Sequence, residues 1–196
     1  TAAGSIIPSG NLGNGMACVW ARAMGLPIRD IVLAVNANRT IPDFLATGQW
    51  EPRSSVATLA SAMDVGNPSN MERLRNLIPD FAELRMSIEA YPVDDDQIRA
   101  QIAKDFARYG KIWCPHTATG FWVYDHLPPA RKSGRSWIVS ATAHPAKFEG
   151  IVEPVIGRAV PIPSTLAALL KRPTECTRLE PQLKSLAAEL DAWKVD

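Results

Sequence analysis

Residues 6–15 read IIPSGNLGNG, and MACVWARAMG follows at residues 16–25. An apolar run ends in a loop of Gly and Asn, and a stretch with helical patterning begins at once. Ser5–Pro8 reads as a short buried strand, Gly10–Gly15 as the loop, and Met16–Met24 as a helix stopped by Gly25 and Pro27. Ile31–Val35 (IVLAV) is a continuous apolar run with β-branched residues, the pattern of a strand buried on both faces of a parallel sheet. Strand, helix and strand in this order make a βαβ unit. They predict an α/β fold, a parallel sheet flanked by helices in three αβα layers.

The loop itself suggests chemistry. Such a turn aims several backbone N–H groups at one point with a helix N-terminus behind them, which suits a phosphate. Gly10 and Gly13 permit close approach and positive φ, and Asn11 and Asn14 add side-chain donors or tolerate left-handed geometry. An ordinary tight βα turn would use the same residues, so the loop alone leaves both readings open. Two later motifs share its setting. Cys114-Pro115-His116-Thr117-Ala118-Thr119-Gly120 and Ser140-Ala141-Thr142-Ala143-His144-Pro145-Ala146-Lys147-Phe148 each follow a predicted strand. Ligands of open α/β sheets sit off the carboxyl ends of strands. His116, Thr117, Thr142 and Lys147 are therefore candidates for a cleft, beside the plainer alternatives of a capping Thr, a buried loop His and a surface Lys.

Working outward, residues 40–68 are broken by Pro42, Gly48, Pro52, Gly66 and Pro68, with a short helix expected over Ser55–Ala62. Ser69-Asn70-Met71-Glu72 has the form of a capping box ahead of a helix through Leu77. Asp80 and Glu83 repeat the signature, and Asp94–Asp96 put negative charge at another helix start, favourable against the dipole. That helix carries Ile98, Ile102, Phe106 and Tyr109 on one face, so residues 70–110 read as a helical insert between strands. Lys111–Cys114 (KIWC) and Trp137–Ser140 (WIVS) read as further buried strands, with a helix over Thr119–Leu127 between them and a polar turn over Pro128–Arg135. Leu179, Leu183, Leu186, Leu190 and Trp193 form an amphipathic stripe, expected to dock as a C-terminal helix.

The 196 residues suffice for one sizeable domain, which at this length buries roughly 70% of the unfolded chain's surface. With 21 basic and 20 acidic residues the charge is balanced, giving no reason to expect nucleic acid or an anionic membrane as a partner. Neither a transmembrane span nor a signal peptide is recognisable. Cys18, Cys114 and Cys176 are odd in number and widely spaced, which argues against a disulfide framework or a metal site and fits a reducing, cytoplasmic setting.

In this order, the three motifs resemble those of threonine synthase, a fold type II pyridoxal-phosphate (PLP) enzyme family. SGNLGN at 9–14 is similar to the family's cofactor-phosphate loop SGNFGN, PHTATG at 115–120 to PHTAVG, and TAHPAKF at 142–148 to TAHPAKF. NANRTIPDFLATGQWEP at 36–52 and ATLASAMDVGNPSNMERL at 57–74 resemble its central region. The likeness covers nearly the whole chain and is nearest to the bacterial and fungal type with a helical insert.

The resemblance implies that Ser9, Gly10, Asn11, Leu12, Gly13 and Asn14 cradle the PLP phosphate and that Thr142 bonds the pyridine nitrogen. A neutral hydroxyl there leaves a weaker electron sink than a carboxylate would. It places Asn70, His116 and Lys147 at the cleft where substrate phosphate leaves. The implied reaction turns O-phospho-L-homoserine and water into L-threonine and phosphate. On this reading residues 1–69 and 111–160 form the PLP-binding α/β portion, 70–110 the helical insert and 161–196 a C-terminal helical extension.

The family's Schiff-base lysine lies in a Ser-Phe-Lys-Asp-type motif that this chain lacks, so no residue here takes that catalytic role. With the abrupt start at Thr1, the chain is expected to be a C-terminal half whose partner is the missing N-terminal half, and to be inactive alone. Half a sheet is also expected to leave an open edge and an exposed apolar cleft, and so to self-associate or to lose stability. Three positions depart from the family pattern. Leu12 replaces an aromatic, Arg39 stands where an acid usually follows Asn, and Cys114 where an acid is common before Pro-His. The last two motivate a rival, a non-catalytic phosphate-ligand binding or interaction module. A second rival is another fold type II lyase such as a serine/threonine dehydratase, against which TAHPAKF argues.

Overall fold

The structure, a computed structural model, describes residues 2–174 and 176–193. In chain order its elements are β1 (Ala3–Pro8), α1 (Gly13–Ala23), β2 (Ile28–Val35), α2 (Thr40–Thr47), α3 (Met71–Leu77), α4 (Phe81–Ser87), β3 (Glu89–Pro92), α5 (Asp95–Tyr109), α6 (Pro115–His126), α7 (Pro129–Lys132), β4 (Trp137–Val139), α8 (Glu149–Ile156), α9 (Ser164–Leu170) and α10 (Leu183–Ala192). Single 3-10 turns lie at Ser61–Met63 and Pro145–Lys147.

The strands pair in the order β3-β2-β1-β4, each pair parallel, which is the α/β arrangement expected from the IVLAV run. Ile6 lies between Val32 and Val139, and Ile7 beside Leu33. Because the strands are parallel, their carboxyl ends share one edge of the sheet. Side chains alternate across each strand. On one face Ile7, Ile31, Leu33 and Val35 pack with Leu12 and Met16 of the first loop and helix, Phe44 of α2 and Leu74 of α3. On the other face α6 lies so close that a Cβ on Gly120 would come within 2.8 Å of Val139. Ile98 and Ile102 of α5, which packs on α6, are fully buried.

Several local expectations need correction. Lys111–Cys114 is not a strand. The Lys111 N–H bonds Asp105 O at the end of α5, the Trp113 indole donates to the Asp105 carboxylate at 3.0 Å, and Pro115 starts α6 at once, four residues before the expected Thr119. Ser55–Ala62 is not a helix beyond the one turn at Ser61–Met63. Ser69 does not cap α3, because its N–H and hydroxyl turn to Asn11. Asp80 and Asp94 do cap α4 and α5, and Asp94 completes a reciprocal box with Gln97. The 70–110 stretch carries α3, α4 and α5 but also contributes β3 to the sheet, so it is not purely helical. Helix α1 opens at Gly13 rather than Met16, and this bears directly on the site.

By internal contacts the chain divides into two units, Thr1–Pro161 and Ile162–Asp196. The sheet and the helices through α8 belong to the first. In the second, α10 carries Leu183, Leu186 and Leu190 at helical spacing, while Leu179 precedes it. Thr1, Glu175, Lys194 and the last two residues of the 161–196 extension lie outside the described residues. No helix among the described residues is long and apolar enough to cross a membrane.

Candidate functional site

The Ser9 N–H donates to Ala34 O at 2.9 Å, the last sheet-like bond before the chain leaves β1. Leu12 then takes a left-handed conformation, φ 62° and ψ 15°, and is the one non-glycine residue with positive φ among those described. That reversal leads straight into α1, whose first internal bond runs from Met16 N–H to Leu12 O at 2.8 Å. The N–H groups of Gly13, Asn14 and Gly15 precede it and have no partner within the helix. No side chain caps this end, and the first turn holds no acidic residue. The positive end of the dipole is therefore not offset within the helix's own first turn.

The loop is held from behind. Asn11 Oδ1 accepts from the Ser69 N–H at 2.6 Å and its hydroxyl at 3.1 Å, while Asn70 Nδ2 donates to the Asn11 carbonyl at 2.7 Å. From the side, the Ser61–Met63 turn presses against Gly10, where an added Cβ would lie 2.6 Å from Met63 Cα. That turn is fixed by a partly buried polar network. Asn36, just past β2, donates through Nδ2 to Asp64 Oδ1 at 2.7 Å and to Thr58 Oγ1 at 2.8 Å. Asp64 also accepts the Thr58 hydroxyl at 2.7 Å and the Thr58 N–H at 3.1 Å.

These parts enclose a cavity of about 330 Å³ at the carboxyl edge of the sheet. Pro8 and the loop from Ser9 to Asn14 form one wall; Ala62 and Met63 another; His116, Thr142, Ala143, Lys147 and Phe148 the rest. Of the residues singled out from the sequence for the cleft, Asn70 and Thr117 lie outside the lining; Asn70 braces the loop and pairs with Arg73. Thr117 does not face this cavity: it is buried with its hydroxyl 3.2 Å from Cys114 Sγ. Ala62 and Met63 gave no signal in the sequence, since long-range bonds from Asn36 and Asp64 put them there.

His116 is 3% exposed, at the second position of α6 behind Pro115. Its Nε2 accepts the Ala62 N–H at 3.1 Å, and Nδ1 has no partner among the described residues. Burial holds its pKa below the ordinary histidine value; Asp64 opposes that shift and Lys147 adds to it. Ser9 Oγ is likewise buried and unpartnered. The departures at Arg39 and Cys114 are accounted for away from the cavity. Arg39 pairs with Asp43 at 2.9 Å, and Cys114 Sγ accepts the Thr117 N–H at the start of α6, the capping role an acid would fill.

The family model for the C-terminal region of threonine synthase matches residues 117–189. Threonine synthase of Serratia marcescens is 36% identical over 167 residues, 85% of this chain and 38% of that protein. The crystal structure of threonine synthase from Escherichia coli superposes with a TM-score of 0.81 at 30% identity, over 96% of this chain and 44% of that one. Across most of its length the chain is similar to threonine synthases. A PLP-bound threonine synthase from Brucella melitensis superposes with a TM-score of 0.82 at 28% identity, over 98% of this chain and 46% of that one. The chain spans about two fifths of the length of the curated threonine synthases it matches. Thr142 and Lys147 fall inside the segment matched by the family model, whereas the glycine loop and His116 precede it.

Proposed function

We propose that this chain forms the cofactor-phosphate wall of a PLP-dependent threonine synthase of fold type II, which converts O-phospho-L-homoserine and water to L-threonine and phosphate in the cytoplasm. The observation that carries the reading is the uncapped N-terminus of α1 behind a glycine loop braced from two sides, facing a cavity that Thr142 and Lys147 also line. The residues fit the group. Gly13 opens onto space with no protein atom within 4 Å of an added Cβ, and the Ser9 hydroxyl lacks a partner. Hydrogen bonds to a charged phosphate contribute about 1.5–3 kcal/mol each. Ser9 to Asn14 hold that phosphate, Thr142 bonds the pyridine nitrogen, and Lys147 places positive charge beside the substrate's phosphate. When bound, PLP supplies the electron sink.

The chain carries no Ser-Phe-Lys-Asp-type motif, so turnover requires the N-terminal half as partner to contribute the Schiff-base lysine. The test is phosphate release from O-phospho-L-homoserine by this chain alone and after mixing with the N-terminal portion of a related threonine synthase. Activity restored only in the mixture supports the proposal. A stable but inert complex supports a binding module instead, and turnover by the chain alone overturns the division of labour.

A further inference from the structure

Two buried polar atoms of the cavity wall have no partner among the described residues, His116 Nδ1 and Ser9 Oγ. A buried group left unpaired costs about 1–3 kcal/mol, so such a pair calls for a partner from outside the chain. For His116 the geometry also fixes which partner. Nε2 accepts the Ala62 N–H at 3.1 Å and so carries no proton in that bond. The remaining ring proton of the neutral imidazole sits on Nδ1. His144 shows the opposite arrangement, since its Nδ1 accepts the Ala146 N–H at 3.1 Å.

The ring has little freedom to change role. Ala62 belongs to the turn whose next residue, Met63, presses on Gly10 of the loop, and the Asn36–Asp64 network fixes that turn. Phe148, also in the cavity lining, packs against the imidazole with ring centroids 4.8 Å apart. Lys147, from the same motif, brings positive charge to the same lining.

Resting on the phosphate-site reading above, we propose that His116 is a binding residue locked as the Nδ1–H tautomer. It donates one neutral hydrogen bond to an oxygen of a phosphate or phosphate monoester in this cavity. The oxygen belongs either to the cofactor's phosphate or to a second phosphate on the substrate side.

The test is two-bond 1H–15N spectroscopy of the chain labelled with 15N-histidine, assigned by loss of one signal set in His116→Gln, with inorganic phosphate as the probe. His116 is expected as Nδ1–H and His144 as Nε2–H in the free chain. Phosphate should move the His116 Nδ1 resonances. His116→Asn, whose amide nitrogen stands near the Nδ1 position, should hold phosphate within about threefold of the wild type. His116→Gln, which replaces Nε2 rather than Nδ1, should weaken it roughly tenfold or more. Repeating the titration after saturation with PLP separates the sources: a surviving response assigns the substrate side, an abolished one the cofactor side, and each supports the proposal. An Nε2–H tautomer at His116, silent Nδ1 resonances on saturation, or equal phosphate affinity in wild type and His116→Gln overturns it. If PLP binds while His116 stays silent, this inference alone fails. If neither phosphate nor PLP binds, the site reading fails with it.

Discussion

Two glycines in one loop should fail in opposite ways when each is replaced by alanine. At Gly10 the new methyl would stand 2.6 Å from Met63 Cα and 2.9 Å from both the carbonyl carbon and oxygen of Met63. These are backbone atoms, and the Asn36–Asp64 network holds them in place, so no rotamer relieves the clash. Overpacking of this kind costs about 1–3 kcal/mol. At Gly13 no heavy atom lies within 4 Å, φ is not positive, and the position is the first of α1. Alanine there should stabilise the chain by about 0.4–1 kcal/mol through the unfolded state. For a unit of this size each kcal/mol moves Tm by roughly 2–4 °C. Gly10→Ala should therefore melt about 2–12 °C below the wild type, and Gly13→Ala about 1–4 °C above it. Binding should follow a different order. Gly13 lines the cavity, and a methyl there that keeps phosphate from even one N–H should weaken binding of PLP or phosphate roughly tenfold or more. The assays are thermal melts by circular dichroism and calorimetric titration of both variants. A Gly13→Ala chain that binds like the wild type would refute the claim that this loop cradles the ligand. A Gly10→Ala chain that melts like the wild type would refute the argument from the Met63 contact.

Asp64→Asn should lower stability by about 1–3 kcal/mol, because both carboxylate oxygens accept and an amide turns a donor against the Asn36 or Thr58 donors; a denaturant titration measures it. Thr142→Val should weaken PLP while leaving inorganic phosphate affinity unchanged, read by paired titrations, since its proposed partner is the pyridine ring. His116 has a depressed pKa in the folded chain, so on acidification the unfolded chain takes up the proton first, near pH 6.5. Stability should thus fall as pH drops through about 6.5, level off below the folded-state value, and lose that slope in His116→Gln, all measurable by melts across the pH range.

Legibility in the sequence followed how local each cause is. The β1–loop–α1–β2 unit was readable because a buried strand, a glycine turn and an amphipathic helix each state themselves within ten residues. The β3 strand was not. EAYP is four residues long, opens with a half-exposed Glu89 and closes on a proline, so nothing in it alternates or runs apolar. Its place beside β2 comes from the sheet, with Arg131 reaching Glu89 at 2.8 Å and Asp30 at 3.4 Å across the strand starts. The converse failure is Lys111–Cys114, where Trp113 is held by its bond to Asp105 and its stacking on Phe121, and Cys114 by capping α6, rather than by strand partners. Short apolar runs do not distinguish these cases, because burial is all that they report.

The site shows the same division at a finer scale. Ser9 to Asn14, His116, Thr142 and Lys147 were marked by their motifs, and the structure gathers them around one cavity. What the motifs could not supply is the reason the loop keeps its shape. Leu12 illustrates it. A left-handed leucine costs about 1–2 kcal/mol, and glycine would remove that cost. Yet the Leu12 side chain is 2% exposed in the core with Met16 and Leu33, and burial of a leucine contributes about 1.5–3 kcal/mol. The two terms nearly balance, so the reversal that aims the N–H groups is anchored by the hydrophobic core instead of left to a flexible glycine. An aromatic side chain at this position would anchor the same reversal by the same means. The change to leucine therefore preserves the device, provided Gly15 stays small: a Cβ there would meet Leu12 and Leu33 at 2.9 Å each.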